Sequence, residues 1–182
     1  TPTLVNGVAG GGITSGMRVA DVSAGPAQTC AIANGQAYCW GLNSSGQLGQ
    51  NNSTQYTVPK KVNGFGDLTT AMNVTSITTG TNHSCAVAGG DAFCWGNDTN
   101  GQLGLGNTTS SLIPKMLTGG TIANSYAPSP PVGMRHYVSK ITAGNGFTCA
   151  IISSVVSCWG NNANGRTGRA TTSGNTTSPT VL

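Results

Sequence analysis

The fold is decided by the stretch VSAGPAQTCAIANGQAYCWGLNSSGQLG, from Val22 to Gly49, in which two cysteines bracket an Asn-Gly pair. Asn34 and Gly35 sit midway between Cys30 and Cys39, and Asn-Gly is the favoured centre of a two-residue hairpin because both central positions need positive φ. Counting outward from that turn pairs Ala33 with Gln36, Ile32 with Ala37, Ala31 with Tyr38 and Cys30 with Cys39. Hydrogen-bonded and non-hydrogen-bonded pairs alternate away from the turn. The cysteines therefore fall at a non-hydrogen-bonded site, where Cα atoms stand about 4.5 Å apart, a separation that permits a disulfide. Alternation puts Cys30, Ile32, Ala37 and Cys39 on one face and Ala31, Tyr38 and Trp40 on the other. Both faces are mostly apolar, which marks an inner strand of stacked sheets.

The stretch occurs three times. The second copy runs from Thr75 through SITTGTNHSCAVAGGDAFCWGNDTNGQLG to Gly104, and the third is VSKITAGNGFTCAIISSVVSCWGNNANGRTG, from Val138 to Gly168. The same count centres their hairpins on Gly89-Gly90, good turn residues, and on Ser153-Ser154, weaker ones. Cys85 then faces Cys94 and Cys149 faces Cys158. Zinc competes for such cysteines, but the chain has no Cys-x2-Cys, and His83 and His136 do not recur with the pairs. Three stapled hairpins argue for an oxidising compartment.

The tryptophans of the copies, Trp40, Trp95 and Trp159, are 55 and 64 residues apart. The first interval is close to the ~50 residues of a propeller blade. The second is lengthened by an insertion, approximately residues 118–134, containing Pro128, Pro130 and Pro131, which reads as a surface loop. Each tryptophan is expected to fill the core between neighbouring blades. TPTLVNG at the start resembles VPKKVNG at Val58–Gly64, and Pro2, Pro59, Pro114 and Pro179 are equivalent marks. These marks predict a single repeat domain, 1–182, of three units at approximately 2–58, 59–113 and 114–179. The fold class expected is all-β: three antiparallel four-stranded propeller blades, a partial propeller or one completed by oligomerisation.

Composition agrees. Only 7% of residues are charged, 28 are Gly, and Glu is absent, which excludes long helices and coiled coils. Eight Lys and Arg against four Asp give a net charge of +4. The basic residues are scattered and form no stripe, so no nucleic-acid partner is expected. No apolar run is long enough to cross a membrane, and the N-terminus lacks a signal-peptide pattern. Secretion would imply that a signal or N-terminal anchor has been removed, or that the chain is a fragment beginning after one.

At this point the residues resemble a known family, the regulator of chromosome condensation repeat. The match rests on SAG at Ser23–Gly25, CWG at Cys39–Gly41, Cys94–Gly96 and Cys158–Gly160, and GQLG at Gly46–Gly49 and Gly101–Gly104. The third copy departs from it, with Gly165, Arg166, Thr167 and Gly168 in place of GQLG. The resemblance implies a propeller that usually closes seven blades, and a structural role for His83. The cysteine-bearing form resembles secreted and cell-surface bacterial members. The nuclear relative's nucleotide-exchange activity resides in loops that this sequence does not reproduce.

No enzyme chemistry is indicated. Asp21, Asp67, Asp91 and Asp98 do not recur at equivalent positions, no nucleophile elbow or triad stands out, and Gly10–Gly12 lacks the Lys of a phosphate loop. No catalytic residue, cofactor or metal is expected. The expected function is an extracellular structural or binding module of a bacterial surface protein, adhesin or pilus-like filament. It would have a protein partner or assemble through its own blade faces. The alternative is a secreted inhibitor of the β-lactamase-inhibitor propeller type, with Tyr56, Phe65, Tyr126 and Tyr137 as loop aromatics for partner contact. Asn43, Asn51, Asn52, Asn73, Asn82, Asn97, Asn107 and Asn175 carry the Asn-x-Ser/Thr glycosylation pattern.

Overall fold

A computed structural model of the chain describes residues 5, 12–65, 72–117 and 137–181. They form three four-stranded antiparallel sheets, each a meander in which every strand pairs with the next. The first contains β1 (Val19–Ala24), β2 (Gln28–Ala33), β3 (Gln36–Gly41) and β4 (Tyr56–Lys61). The second contains β5 (Val74–Thr79), β6 (His83–Ala88), β7 (Asp91–Gly96) and β8 (Ser111–Met116). The third contains β9 (Val138–Ala143), β10 (Phe147–Ile152), β11 (Val155–Gly160) and β12 (Thr176–Val181). A one-turn 3-10 helix at Ala163–Gly165 is the only helical element among the described residues.

Each central hairpin is a two-residue turn with both residues at positive φ. They are Asn34 and Gly35 at 47° and 70°, Gly89 and Gly90 at 60° and 88°, and Ser153 and Ser154 at 49° and 69°. The register from these turns sets Cys30 opposite Cys39, Cys85 opposite Cys94 and Cys149 opposite Cys158. All three pairs are joined as disulfides, with Cα atoms 4.1 Å apart.

The blades stack face to face, with one apolar cluster in each junction. Cys30, Ile32, Ala37, Cys39, Leu48 and Val62 of the first blade meet Val74, Ile77, Ala86, Phe93 and Trp95 of the second. Cys85, Val87, Ala92, Cys94 and Leu103 of the second meet Val138, Ile141, Ala150, Ile152 and Trp159 of the third. The central strands of the second blade, β6 and β7, are thus buried on both faces because each face has a neighbouring blade. The first strands also join directly: Thr79 N donates to Ser23 Oγ at 3.0 Å, and Ala143 N to Thr78 Oγ1 at 3.0 Å.

Blade limits differ from the proline-marked units. The positions 58/59 and 113/114 lie inside β4 and β8, and Pro59, Pro114 and Pro179 are all buried within fourth strands. A fourth strand pairs on one side only, so it tolerates a residue without an N–H. The prolines therefore mark an edge strand, not a boundary. The insertion at 118–134 lies outside the described residues.

Candidate interaction surfaces

The recurring CWG and GQLG motifs meet across each junction. Trp95 Nε1 donates to the carbonyl of Gln47 at 2.9 Å, and Ser84 Oγ donates to the same oxygen at 2.8 Å. One blade on, Trp159 Nε1 and Thr148 Oγ1 donate to the carbonyl of Gln102 at 2.9 and 2.8 Å. Both lone pairs of a buried carbonyl are thereby used, and both indole N–H groups are satisfied, as burial demands. Leu48 and Leu103, next in the motif, are fully buried beside the indoles.

The closing glycine of the motif is required twice over. Gly49 and Gly104 have φ of 68° and 73°, and a Cβ there would stand 2.9 and 2.7 Å from the indole nitrogens of Trp95 and Trp159. Neither the backbone conformation nor the space admits a side chain.

Trp40 is different. It is only half-buried, because among the described residues no blade precedes the first and no GQLG carbonyl faces it. Trp95 and Trp159 are fully buried in their junctions, whereas Trp40, on the outer face of the first described blade, is half-buried. The same contrast runs along the strand. Val74 and Ile77 are 3% and 4% exposed, whereas Val19 and Val22 at the equivalent places of β1 are 52% and 62% exposed. At the other end, Ala37 and Ala92 are buried while the equivalent Val156 is 46% exposed. Cys149, Ile151 and Phe147 on that side are half-buried, and Arg166 lies over the Phe147 ring at 5.7 Å.

A residue position that the motifs did not single out governs the turns. Asn43, Asp98 and Asn162 each stand three residues after the blade tryptophan, and all three are fully buried. Each Oδ1 accepts a backbone N–H five residues on, from Leu48, Leu103 or Thr167, at 2.9, 2.8 and 3.1 Å. The recurrence of Asn or Asp at a constant distance after Trp was the available signal.

His83 is fully buried in the second junction, its Nε2 2.9 Å from Thr148 Oγ1. Burial lowers its pKa to about 4, against a backbone contact at Phe147. Gln28 holds the equivalent place in the first junction and donates to the carbonyl of Gly80 at 2.8 Å.

Of the aromatic residues expected to contact a partner, two are engaged elsewhere. Tyr56 begins β4, half-buried, with Asn52 Nδ2 at 3.3 Å from its hydroxyl and Lys60 over its ring. Phe65 packs edge-on against Phe93 and Trp95 at 5.5 and 5.9 Å, roofing the first junction. Both stand in polar loop sequence, and both are held by the core beneath. Tyr126 lies outside the described residues. Tyr137 is 67% exposed and borders the hairpin turn at Gly90.

The glycosylation pattern is likewise thinned by burial. Asn43 has no exposed surface and its amide is fully engaged in the turn. Asn52, Asn82 and Asn97 are half-buried, and Asn97 Oδ1 accepts from Thr99 and from Gln102 Nε2. Asn51, Asn73, Asn107 and Asn175 are exposed. Among the described residues, no group of three His, Cys, Asp or Glu side chains is placed to hold a metal ion.

Stacked four-stranded meanders locked by an indole on the preceding blade define a β-propeller blade array. The chain belongs to the regulator of chromosome condensation (RCC1) repeat family, whose model matches residues 34–87 and 89–151. Each matched unit runs from one hairpin turn to the next and so takes half of each of two sheets. The chain is 31% identical over 137 residues to the Ultraviolet-B receptor UVR8 of Arabidopsis thaliana, covering 73% of this chain and 29% of that protein. It is 30% identical over 119 residues to the human E3 ubiquitin-protein ligase HERC2, covering 65% of this chain and 2% of that protein. The structure of human WBSCR16 superposes with a TM-score of 0.69 at 21% identity, over 91% of this chain and 39% of that one. Yeast RCC1 (Prp20), solved bound to Kap60, superposes with a TM-score of 0.70 at 24% identity, over 92% and 36%. The chain therefore spans less than a third of the curated relatives named and less than two fifths of these structures.

Proposed function

We propose that the chain is a non-catalytic binding module of a secreted or cell-surface bacterial protein, an adhesin or pilus-like filament. Its end faces would mate with further blades of the same kind. The observation that carries the reading is the exposure of Val19, Val22 and Trp40 at one end and of Val156 at the other, where the equivalent positions inside the array form apolar junctions. Apolar surface of this sort marks an interface, and head-to-tail contacts that do not close generate filaments. Three disulfides support an oxidising compartment. Protein binding is also the theme of solved relatives: yeast Prp20p is described with binding properties to Gsp1p and histones. Among the described residues no helix is long and apolar enough to cross a membrane.

Light scattering and negative-stain imaging of the purified chain test this directly. Rings or filaments that dissociate on Val22→Asp or Val156→Asp support mating faces. A monomer at high concentration overturns self-assembly and moves attention to the exposed Tyr137 rim, where saturable inhibition of a candidate enzyme would replace the structural reading with the inhibitor one.

A further inference from the structure

The turn position shared by Asn43, Asp98 and Asn162 is chemically identical in two blades and different in one. In the first blade the Asn43 amide donates to the carbonyls of Asn52 and Thr54, each at 2.9 Å. In the third, the Asn162 amide donates to the carbonyl of Thr171 at 2.7 Å. Those acceptors lie nine and eleven residues after the asparagine in the first blade and nine in the third. In the second blade the corner that carries the amide is Asp98 Oδ2, which is buried and has no hydrogen-bond partner.

The chain opposite Asp98 is folded as in the first blade. Thr54 N donates to Asn52 Oδ1 at 2.8 Å, and Thr109 N donates to Asn107 Oδ1 at 2.8 Å, so the two loops make the same Asx turn at the same offset. By chain offset the Asn107 and Thr109 carbonyls correspond to the Asn52 and Thr54 carbonyls that accept from the Asn43 amide. An ionised carboxylate can only accept, and it would set lone pairs against lone pairs. A protonated one has an O–H where asparagine has an N–H. We propose that Asp98 is held as a neutral carboxylic acid that donates from Oδ2 to the carbonyls of the 105–110 loop, and that loss of this proton releases the loop from the third blade.

The surroundings offer the ionised form no cation: His83, opposite Gly96 on β6, directs its Nε2 to Thr148 Oγ1 and is kept neutral by burial. The 96–104 turn and the 105–110 loop carry no other ionisable side chain, and β12 carries none. Lys115 on β8 is exposed, Asp91 stands at the far end of β7, and Arg166 and Arg169 in the third blade are bonded to the carbonyls of Ala163 and Asn145 and to Thr180 Oγ1. Burial raises the Asp98 pKa to about 6, against the Leu103 N–H that favours the charge. Release matters because the loop is a bracket between blades. Gly106 N donates to the carbonyl of Thr177 on β12 at 2.8 Å, as Asn51 N donates to the carbonyl of Leu112 on β8 at 3.0 Å across the first junction. Of these two brackets, the second is held by an acid and the first by an amide, so only the second responds to pH.

Amide hydrogen exchange, expressed as protection factors at pH 5 and pH 7.5, tests the proposal. The protection of Gly106 should fall about tenfold or more on raising the pH, while that of Asn51 stays constant. In Asp98→Asn the Gly106 dependence should vanish, and in Asn43→Asp a new dependence should appear at Asn51. An unchanged Gly106 protection in the native chain would overturn the proposal, as would the same pH dependence persisting in Asp98→Asn. So would protection at pH 7.5 that calcium chloride restores and EDTA removes, since a cation rather than a proton would then join Asp98 to the loop carbonyls.

Discussion

Trp95 and Trp40 occupy the same position of the same repeat, yet one is fully buried with its N–H on the Gln47 carbonyl and the other is half-buried. The difference lies in whether a neighbouring blade supplies the GQLG turn. A blade of this type is therefore an incomplete unit: its hairpin is closed within itself, but its tryptophan is satisfied only from outside. The largest expected effect follows. Trp95→Ala and Trp159→Ala should each destabilise by about 3–5 kcal/mol, the range for deleting a buried aromatic. Trp40→Ala should cost well below half of that in denaturant unfolding. Equal losses at Trp40 and Trp95 would mean that the first face is already covered in solution.

The disulfides sharpen the same contrast. Cys30, Cys39, Cys85 and Cys94 have no exposed surface because a following blade lies over them, whereas Cys149 is half-buried at the open end. Each bridge closes a loop of about ten residues and should contribute roughly 2–3 kcal/mol. Under native conditions dithiothreitol should reduce Cys149–Cys158 first, followed by mass spectrometry with alkylation. Reduction of Cys85–Cys94 at an equal rate would show that the second junction opens as readily as the end face.

The two internal junctions can also be set against each other by pH. His83 fills in the second the place Gln28 fills in the first, and its pKa of about 4 lies below the ordinary value of 6.5. The unfolded chain then binds more protons than the folded one between these values, so stability is full above pH 6.5 and falls as pH drops toward 4. Asp98 runs oppositely, its raised pKa removing stability as pH rises from about 4 to 6. In an Asp98→Asn background the histidine effect stands alone and should amount to about 2 kcal/mol at pH 5 relative to neutral pH. His83→Gln should abolish it. A pH dependence unchanged by that substitution would place the responsible group elsewhere.

Much of this architecture is legible in the residues. Eight residues between paired cysteines and a turn pair at their centre fix the hairpin register by counting, and apolar residues on both faces of the central strands point to stacked blades, an arrangement realised on both sides of β6 and β7. Other features depend on long-range geometry. Nothing local distinguishes Pro59 in a paired edge strand from Pro59 at a boundary. Phe65 follows Gly64 in a polar loop, and only the fold brings it to Phe93 and Trp95. Asp98 differs from Asn43 by one atom type, and its meaning emerges only where the acceptors of the Asn43 amide are known.

The smallest effect concerns the three hairpin turns. Ser153 and Ser154 hold φ of 49° and 69°, the same left-handed backbone that Asn34-Gly35 and Gly89-Gly90 adopt with residues suited to it. An ordinary L-residue loses roughly 1–2 kcal/mol per position there, and Asn and Gly much less. The serines persist because the flanking register, with Ile152 opposite Val155 and Cys149 opposite Cys158, leaves room for two residues and no more. Replacing Ser153-Ser154 by Asn-Gly should raise stability by about 1 kcal/mol and the melting temperature by a few degrees. Gly89-Gly90 changed to Ser-Ser should lower both by a similar amount. If the third blade gains nothing while the second loses, the open end of the array frays before its hairpin melts, and the turn is not the weakest point of that blade.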